Sequence, residues 1–380
     1  CKDYILLNNL YSSDPVMDMT IDNESNVYAI LRQNSSGNIY STQYKIVKYD
    51  SLLNVVWEIN NPNVNCPAGI RYNEQNDLLY LTGQLGGFTN NGYNYVSSST
   101  GSINGVSIAS GYGFVAELNP TDGTCNWASP ITLGNYAWGY RHHPMFTFNN
   151  NYLCFISQDD PYSANWCLHT YDISNGTLVY SEYSIGGSGA GECILTNSNE
   201  LIVKTQNTGR LFDIFTGYTN TSISYTNGSG SNNLLLDGSG SVLTFYNYSN
   251  NYMINTQSIG TNSNSAVTNN LDVGSGSHFA YKTTSGYSLC VGYTENNVLV
   301  WNQLYVTNFL GNQPSFMILD LDNNFNITNS YNISPLCNLE STRYAVSSNG
   351  KKCFAVRTDG AFVINGNNYT GQNTFLILLE

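Results

Sequence analysis

The segment Val16-Met-Asp-Met-Thr-Ile-Asp-Asn-Glu-Ser-Asn-Val-Tyr-Ala-Ile-Leu31 decides the fold of this chain. Apolar segments flank the polar run Asp22–Asn26 on both sides, which is the pattern of two strands joined by a tight turn. The segment is therefore predicted to form a β-hairpin with one buried face.

The same hairpin recurs along the chain, and such recurrence indicates a repeat architecture. The further copies are Ala68–Leu81, Met145–Ile156, Glu192–Val203, Asn233–Phe245, His278–Val291 and Arg343–Val356. A second hairpin follows most copies, with a small polar turn and a strand that often carries Trp or Tyr, as in Lys45–Trp57, Phe114–Trp127 and Cys167–Tyr180. Two hairpins make a four-stranded antiparallel sheet, so the seven copies predict an all-β, seven-bladed β-propeller.

We expect one domain over residues 1–380. Its predicted blades lie at about 12–62, 63–135, 136–187, 188–228, 229–274, 275–336, and 337–380 plus 1–11. The last repeat supplies three strands, of which Thr374–Leu379 is the third. Strand Tyr4–Leu7 is predicted to complete this blade, because that exchange would close the ring and protect open sheet edges.

The unit Leu118-Asn-Pro-Thr-Asp-Gly-Thr-Cys-Asn-Trp127 resembles the repeats of quinoprotein-type (PQQ-like) β-propellers. The resemblance covers nearly the whole chain, although the Ala-x-Asp…Trp pattern is incomplete in most blades. It implies a fold only, because propellers carry unrelated functions. A quinone would need a ring of charged residues and a calcium site, which the sequence does not identify, so we expect no cofactor.

The charge of the chain excludes two classes of partner. Charged residues make up 10% of the sequence, and 13 Lys+Arg against 26 Asp+Glu give a net charge of −13. Nucleic acids and anionic membranes require clustered Lys and Arg, so neither is expected as a partner. No apolar run approaches the length of a membrane-spanning helix, so no transmembrane segment is expected.

Cysteine usage predicts an extracellular or cell-surface location, because nine Cys in a charge-poor chain suggest disulfides. A Cys154–Cys167 disulfide is predicted, since the two residues face each other if their turn centres between Asp160 and Pro161. The chain begins at Cys1, so we expect a processed product. Lipidation of Cys1, as in a bacterial lipoprotein, is the alternative.

Glycosylation is also predicted, because Asn-x-Ser/Thr motifs recur at turns, loops and strand ends. The motifs begin at Asn23, Asn34, Asn175, Asn220, Asn227, Asn247, Asn326, Asn332 and Asn368.

Charged and polar residues at the starts of the innermost strands are candidates for a binding site at the mouth of the channel. They are Asp14, Arg141, His142, His143, Glu192, His278, Glu340 and Arg343. A solvated channel whose inner strands begin with polar residues is the preferred interpretation, and a small polar pocket is the alternative. Adjacent histidines on a strand point to opposite faces, so we expect no metal at His142–His143.

One calcium-like motif is present. Asp320-x-Asp322-x-Asn324 matches the first half of a calcium loop, but Phe325 occupies the glycine position. We therefore expect a plain turn, with calcium as the alternative.

Two insertions, Gly86–Gly113 and Asn296–Pro314, interrupt the second and sixth blades. Both fall between second and third strands. Their aromatic residues are candidates for partner contact, because exposed aromatic loops are typical of interfaces. The candidates are Tyr93, Tyr95, Trp301 and Tyr305. The alternative is that the loops fold over their own blades.

Common enzyme signatures are absent from the sequence, including the nucleophile elbow, the zincin motif and the P-loop. We therefore expect a non-enzymatic, glycosylated extracellular propeller that assembles with itself into a filament or surface layer, with a glycan or protein partner as a further option. The alternatives are a secreted carbohydrate-active enzyme and a lipid-anchored bacterial surface binding protein.

Overall fold

The structure is a computed structural model of the chain. It describes residues 3–8, 10, 15–33, 43–60, 62–86, 88–90, 94–96, 98–132, 146–158, 166–182, 192–204, 208–224, 233–236, 241–248, 251–258, 264–272, 278–293, 297–300, 304–307, 315–333 and 337–379.

The chain divides into two compact units. The middle unit comprises Met17–Thr20 and Val27–Ile223. The terminal unit comprises Cys1–Val16, Ile21–Asn26 and Ser224–Glu380. The predicted single domain over residues 1–380 stays a prediction.

The described part of the middle unit contains four antiparallel sheets of four strands each, whose strand-end residues Val16, Ile21 and Ser224 belong to the terminal unit. The first has β2 (Val16–Ile21), β3 (Val27–Gln33), β4 (Gln43–Tyr49) and β5 (Val55–Asn60). The second has β6 (Cys66–Asn73), β7 (Leu78–Gln84), β12 (Gly113–Leu118) and β13 (Cys125–Ile131). The third has β14 (Phe146–Phe148), β15 (Tyr152–Gln158), β16 (Trp166–Asp172) and β17 (Leu178–Glu182). The fourth has β18 (Glu192–Leu195), β19 (Glu200–Lys204), β20 (Thr208–Asp213) and β21 (Gly217–Ser224).

Two further hairpins occupy the insertion of the second sheet. They are β8 (Phe88–Asn90) with β9 (Asn94–Val96), and β10 (Ser99–Ile103) with β11 (Val106–Gly111).

The terminal unit holds three larger sheets and one small hairpin. The first has β22 (Asn233–Leu236), β23 (Ser241–Tyr248), β24 (Asn251–Ser258), β25 (Asn264–Asp272), β28 (Asn297–Val300) and β29 (Leu304–Thr307). The second has β26 (His278–Thr283), β27 (Gly286–Tyr293), β30 (Ser315–Asp322) and β31 (Ile327–Ile333). The third has β32 (Cys337–Val346), β33 (Lys352–Gly360), β36 (Gln372–Leu379) and β1 (Asp3–Leu7). The hairpin has β34 (Phe362–Ile364) and β35 (Asn367–Tyr369).

The predicted count of seven four-stranded blades is wrong, because the described residues form six four-stranded sheets and the predicted fifth blade lies in a six-stranded sheet. The extra strands come from the second insertion. β28 pairs with the outer strand β25 through Leu271 and Val300, so the apolar insertion extends a blade instead of standing apart from it.

The predicted pairing of the two terminal strands is present. β1 runs antiparallel to β36, with Tyr4 opposite Ile377 and Leu7 opposite Thr374. Tyr4 and Leu6 pack against the apolar core of the terminal unit, which includes the buried Phe375. The N-terminal strand therefore completes the sheet that holds the C-terminal strand.

Local turn chemistry explains many of the hairpins. In the turns Asp22–Asn26, Asp50–Asn54 and Asp322–Asn326, the Asp carboxylate accepts backbone N–H groups two and four residues later, at 2.8–2.9 Å. The fourth residue of each turn has positive φ, as at Leu53 (62°). An Asp carboxylate that accepts these N–H groups takes the place of a backbone carbonyl. It therefore favours the turn even where the residue with positive φ is not glycine.

A second turn type joins neighbouring sheets of the middle unit. Gly123 and Gly176 end five-residue turns with φ of 75° and 70°. The indole N–H of Trp57 donates to the Pro120 carbonyl at 2.9 Å, and that of Trp127 donates to the Ile173 carbonyl at 3.1 Å. Each tryptophan of an outer strand therefore anchors its sheet to a turn of the next sheet along the chain.

Candidate binding surfaces

The candidates at the channel mouth are only partly within the described residues. Asp14, Arg141, His142 and His143 lie outside them. Glu192 begins β18 and His278 begins β26, so these residues stand at the starts of first strands as predicted. Glu340 and Arg343 flank a register shift in β32. Glu192 belongs to the middle unit and the other three to the terminal unit. Their role in binding stays a prediction.

An ion pair that the sequence did not indicate lies on the first strands of two neighbouring sheets. The Asp18 carboxylate, on β2, accepts hydrogen bonds from the Arg71 guanidinium and from the Ile70 N–H on β6 (3.0 Å). Asp18 is almost fully buried, whereas Arg71 is about one third exposed and lies 5.5 Å from the centre of the Phe146 ring. The pair has no sequence motif, because its partners are far apart along the chain.

Side chains on first strands also bind the backbone of the next sheet elsewhere in the middle unit. Thr20 on β2 accepts the N–H of Tyr72 at 3.4 Å, and Thr147 on β14 accepts the N–H of Leu195 at 3.1 Å. Such bonds satisfy edge N–H groups that no strand pairs. Asp18 therefore has two roles: its carboxylate pairs with the Arg71 charge, and it accepts the Ile70 N–H at the edge of the next sheet.

We expect Asp18→Ala to lower the free energy of unfolding by about 3 kcal/mol, because it leaves the Arg71 charge and the Ile70 N–H without their acceptor. Asp18→Asn keeps an acceptor and should cost less. Glu58→Ala is the control, because the Lys45–Glu58 pair is more exposed and should be worth about 0.5 kcal/mol. Urea unfolding compares them, and equal losses for Asp18→Ala and Glu58→Ala would contradict the assignment.

The two insertions form strands. Tyr95 lies in β9 and Tyr305 lies in β29, whereas Tyr93 and Trp301 fall outside the described residues. In the first insertion, the Asn104 side chain donates to the Gly123 carbonyl at 2.8 Å, and Tyr112 donates its N–H to the Ile131 carbonyl at 2.9 Å. This part of the insertion folds over its own sheet, while the partner contacts of the aromatic candidates stay predictions.

Several exposed apolar side chains of the middle unit lie on two outer strands or in the turn before one of them. At the first sheet, Val55 and Val56 on β5 are 55% and 50% exposed, and Leu52 in the preceding turn is 65% exposed. On the third sheet, Leu178 and Val179 are 40% and 45% exposed. When another molecule covers apolar side chains grouped at a sheet edge, the free energy falls, so such a group marks a surface that favours binding.

The sequence motifs for glycosylation fall at different kinds of position. Exposed turn or hairpin positions are held by Asn23, Asn175, Asn326 and Asn368. Positions within strands are held by Asn220, Asn247 and Asn332. Asn34 and Asn227 lie outside the described residues. Modification of these asparagines stays a prediction.

The predicted Cys154–Cys167 disulfide is wrong. Cys154 lies opposite Thr170, and Cys167 lies opposite Ser157, so the two cysteines are three residues out of register and on opposite faces. Both are free thiols, as are the other cysteines for which the structure gives a state, namely Cys66, Cys125, Cys193, Cys290 and Cys353. Burial raises the pKa of Cys154 to about 12, which makes this thiol unreactive near neutral pH.

The two carboxylates of the calcium-like motif have separate partners. Hydrogen bonds from the Asn326 side chain and backbone N–H groups hold the pKa of Asp322 below its ordinary value. Asp320 forms an ion pair with Lys352 at 3.0 Å and accepts a hydrogen bond from Ser288 at 2.6 Å. Among the described residues, no group of three or more His, Cys, Asp or Glu could hold a metal. The absence of a cofactor stays a prediction.

No helix in the described part of the chain has the length and hydropathy needed to cross a membrane.

No protein-family model and no curated protein matches this chain. Solved structures match it at low identity. A chain in the crystal structure of the mitotic checkpoint complex is 10% identical, with 98% of this chain and 93% of that chain covered and a TM-score of 0.50. BamB from Moraxella catarrhalis is 12% identical over 98% of both chains, with a TM-score of 0.43. KlHsv2 with loop 6CD replaced by a Gly-Ser linker is 9% identical over 97% of this chain and 98% of that chain, with a TM-score of 0.49.

The strand order of the sheets and the likeness to the first of these structures support the same fold. The chain is an all-β propeller with four-stranded antiparallel blades. A likeness at 10% identity concerns the fold alone and assigns no activity.

Proposed function

We propose that this protein is a non-enzymatic building block of the cell surface or extracellular space, a glycosylated propeller closed by β1 that assembles with further copies of itself. The observation that carries the proposal is the group of exposed apolar side chains at β5, an outer strand among the described residues, and at the turn before it: Leu52, Val55 and Val56. Water-exposed apolar groups of this kind favour association.

The low content of charged residues supports direct contact between copies of the chain. Only 10% of the residues are charged, so two surfaces of this chain can meet with few buried charges. The net charge of −13 opposes contact, which restricts association to surfaces without acidic side chains. A similar propeller occurs in a structure described as a complex, so the fold is compatible with a role in assembly.

Glycosylation motifs support an extracellular location, whereas the cysteines no longer do, since those with a known state are free thiols. Asn175 and Asn368 are exposed and lie in a turn and a hairpin, where a modifying enzyme could reach them. Glycans at such positions would cover the sides of an assembly and leave its contacts bare.

Electron microscopy and light scattering of protein from its native source test the proposal, together with mass analysis of its peptides. Filaments or layers built of this chain, with hexoses on Asn-containing peptides, would support it. Dispersed single chains at every concentration would overturn it. Turnover on a glycan panel would support the enzyme alternative, and diacylglycerol on Cys1 the lipoprotein alternative.

A further inference from the structure

Most outer strands of the described sheets carry a feature that would hinder pairing with another strand. β13 contains Pro130, which lacks an N–H, and β11 packs against β13. β21 and β31 contain the glycosylation motifs that begin at Asn220 and Asn332, and β17 follows the turn that holds Asn175. Pro residues and covering segments protect sheet edges in natural proteins, because an unpaired edge can bind a further strand. Glycans at the proposed sites would add to this protection.

The outer strand β1 has a neighbouring hairpin at its start. The Tyr4 hydroxyl lies 2.9 Å from the Tyr369 hydroxyl, and the Asn367 side chain donates a hydrogen bond to the Tyr4 hydroxyl at 2.6 Å. The small hairpin β34–β35 therefore stands beside the start of this outer strand.

Strand β5 lacks a Pro, a glycosylation motif and, among the described residues, a cover, although its pairing with β4 has a bulge at Val56. Its sequence, Val-Val-Trp-Glu-Ile-Asn, contains no Pro, no Lys and no glycosylation motif. Its first two residues, Val55 and Val56, are half exposed, and its single charge, Glu58, lies 2.7 Å from the Lys45 ammonium group. The edge of β5 is therefore apolar and almost free of uncompensated charge.

A second outer strand lies in the described part of the terminal unit. β29 is the last strand of the six-stranded sheet, and its sequence Leu304-Tyr-Val-Thr307 has no charge, no Pro and no glycosylation motif. The neighbouring strand β28 already extends the outer strand of a blade, through the pair Leu271 and Val300. The same insertion therefore includes a strand that pairs with a blade edge and a strand that is the last of its sheet among the described residues.

We propose that β29 of one copy pairs with the open edge of β5 of the next copy, an inference that rests on the proposed self-association. The β5 edge requires an extended strand as its occupant, because only a strand offers the matching row of N–H and C=O groups. The exposed valines require an apolar strand, and β29 is apolar. An uncharged strand also avoids the repulsion expected between two chains of net charge −13.

The pairing uses two different surfaces of the molecule, so it is a head-to-tail contact. Each added copy presents a new β5 edge or a new β29 edge, and growth continues unless the contacts close into a ring. A filament or layer is thus the expected product, and Tyr305 is placed at the contact.

Three variants test the contact by placing a Lys on each edge and on an unrelated exposed position. Val56→Lys alters β5, Tyr305→Lys alters β29, and Val363→Lys is the control, since Val363 is 47% exposed and lies in β34. We expect the first two to raise the concentration needed for assembly by about tenfold or more, because a Lys at a strand edge blocks pairing. The control should assemble like the native chain. Circular dichroism and thermal melting show whether each variant folds.

Mixing the two edge variants gives a sharper test. Val56→Lys still offers β29, and Tyr305→Lys still offers β5, so light scattering of the mixture should show pairs but no longer chains. If the native chain assembles and both edge variants assemble equally well, the contact is wrong and the proposed function stands. Loss of assembly in Val363→Lys to the same extent would also overturn the contact. A native chain that never assembles overturns both proposals.

Discussion

A chain that lacks residues 1–8 is expected to unfold at a much lower urea concentration than the full chain. The deletion removes β1, which pairs with β36 over five residues and packs Tyr4 and Leu6 against the core of the terminal unit. Fully burying a large apolar side chain is worth about 1.5–3 kcal/mol, and Tyr4 and Leu6 are half-buried, so with the loss of the strand pairing a total on the order of 3–5 kcal/mol is expected. That is comparable with the whole net stability of many proteins, about 5–15 kcal/mol.

Tyr4→Phe is the matched control for this deletion. It keeps the strand and its ring but removes the hydroxyl that contacts Tyr369 and Asn367, so it should cost about 1 kcal/mol. The deletion should also expose the edge of β36 and promote aggregation, and a synthetic peptide of residues 1–8 should restore the melting temperature in part. Unchanged melting of the shortened chain would refute a structural role for β1.

The sequence predicted those features that depend on local chemistry. Turns such as Asp22–Asn26 and Asp50–Asn54 are formed by an Asp that binds its own backbone, so their residues carry the signal within five positions. The terminal strand pairing was predictable for another reason: the last repeat lacked a strand, and Tyr4–Leu7 supplied one of the right character.

Features that depend on contacts between distant segments could not be predicted. The register of Cys154 and Cys167 depends on how the chain between β15 and β16 is arranged, and a shift of a few residues separates the two thiols. The sheet that contains the predicted fifth blade has two additional strands because the apolar insertion pairs with the edge of β25. The Asp18–Arg71 ion pair joins two strands that are far apart along the chain, and no motif in either strand indicates the contact.

Gly176→Ala is expected to destabilise the protein strongly, because two costs act at that position. Its φ of 70° is unfavourable for any residue with a Cβ, at about 1–2 kcal/mol. An added Cβ would also lie 2.3 Å from the Trp127 ring, which is buried and hydrogen-bonded to Ile173. The ring must move out of its contact, so a total loss of about 3 kcal/mol or more is expected.

Gly105→Ala separates the two costs. Gly105 also has positive φ, 87°, but an added Cβ there meets no atom within 4 Å, so only the backbone cost applies, about 1–2 kcal/mol. Urea unfolding of both variants gives the difference, which measures the contact between Gly176 and Trp127. Tryptophan fluorescence should shift in Gly176→Ala and not in Gly105→Ala, because only the former displaces an indole. Equal losses in the two variants, with no change in fluorescence, would mean that the tryptophan does not anchor one blade to the next.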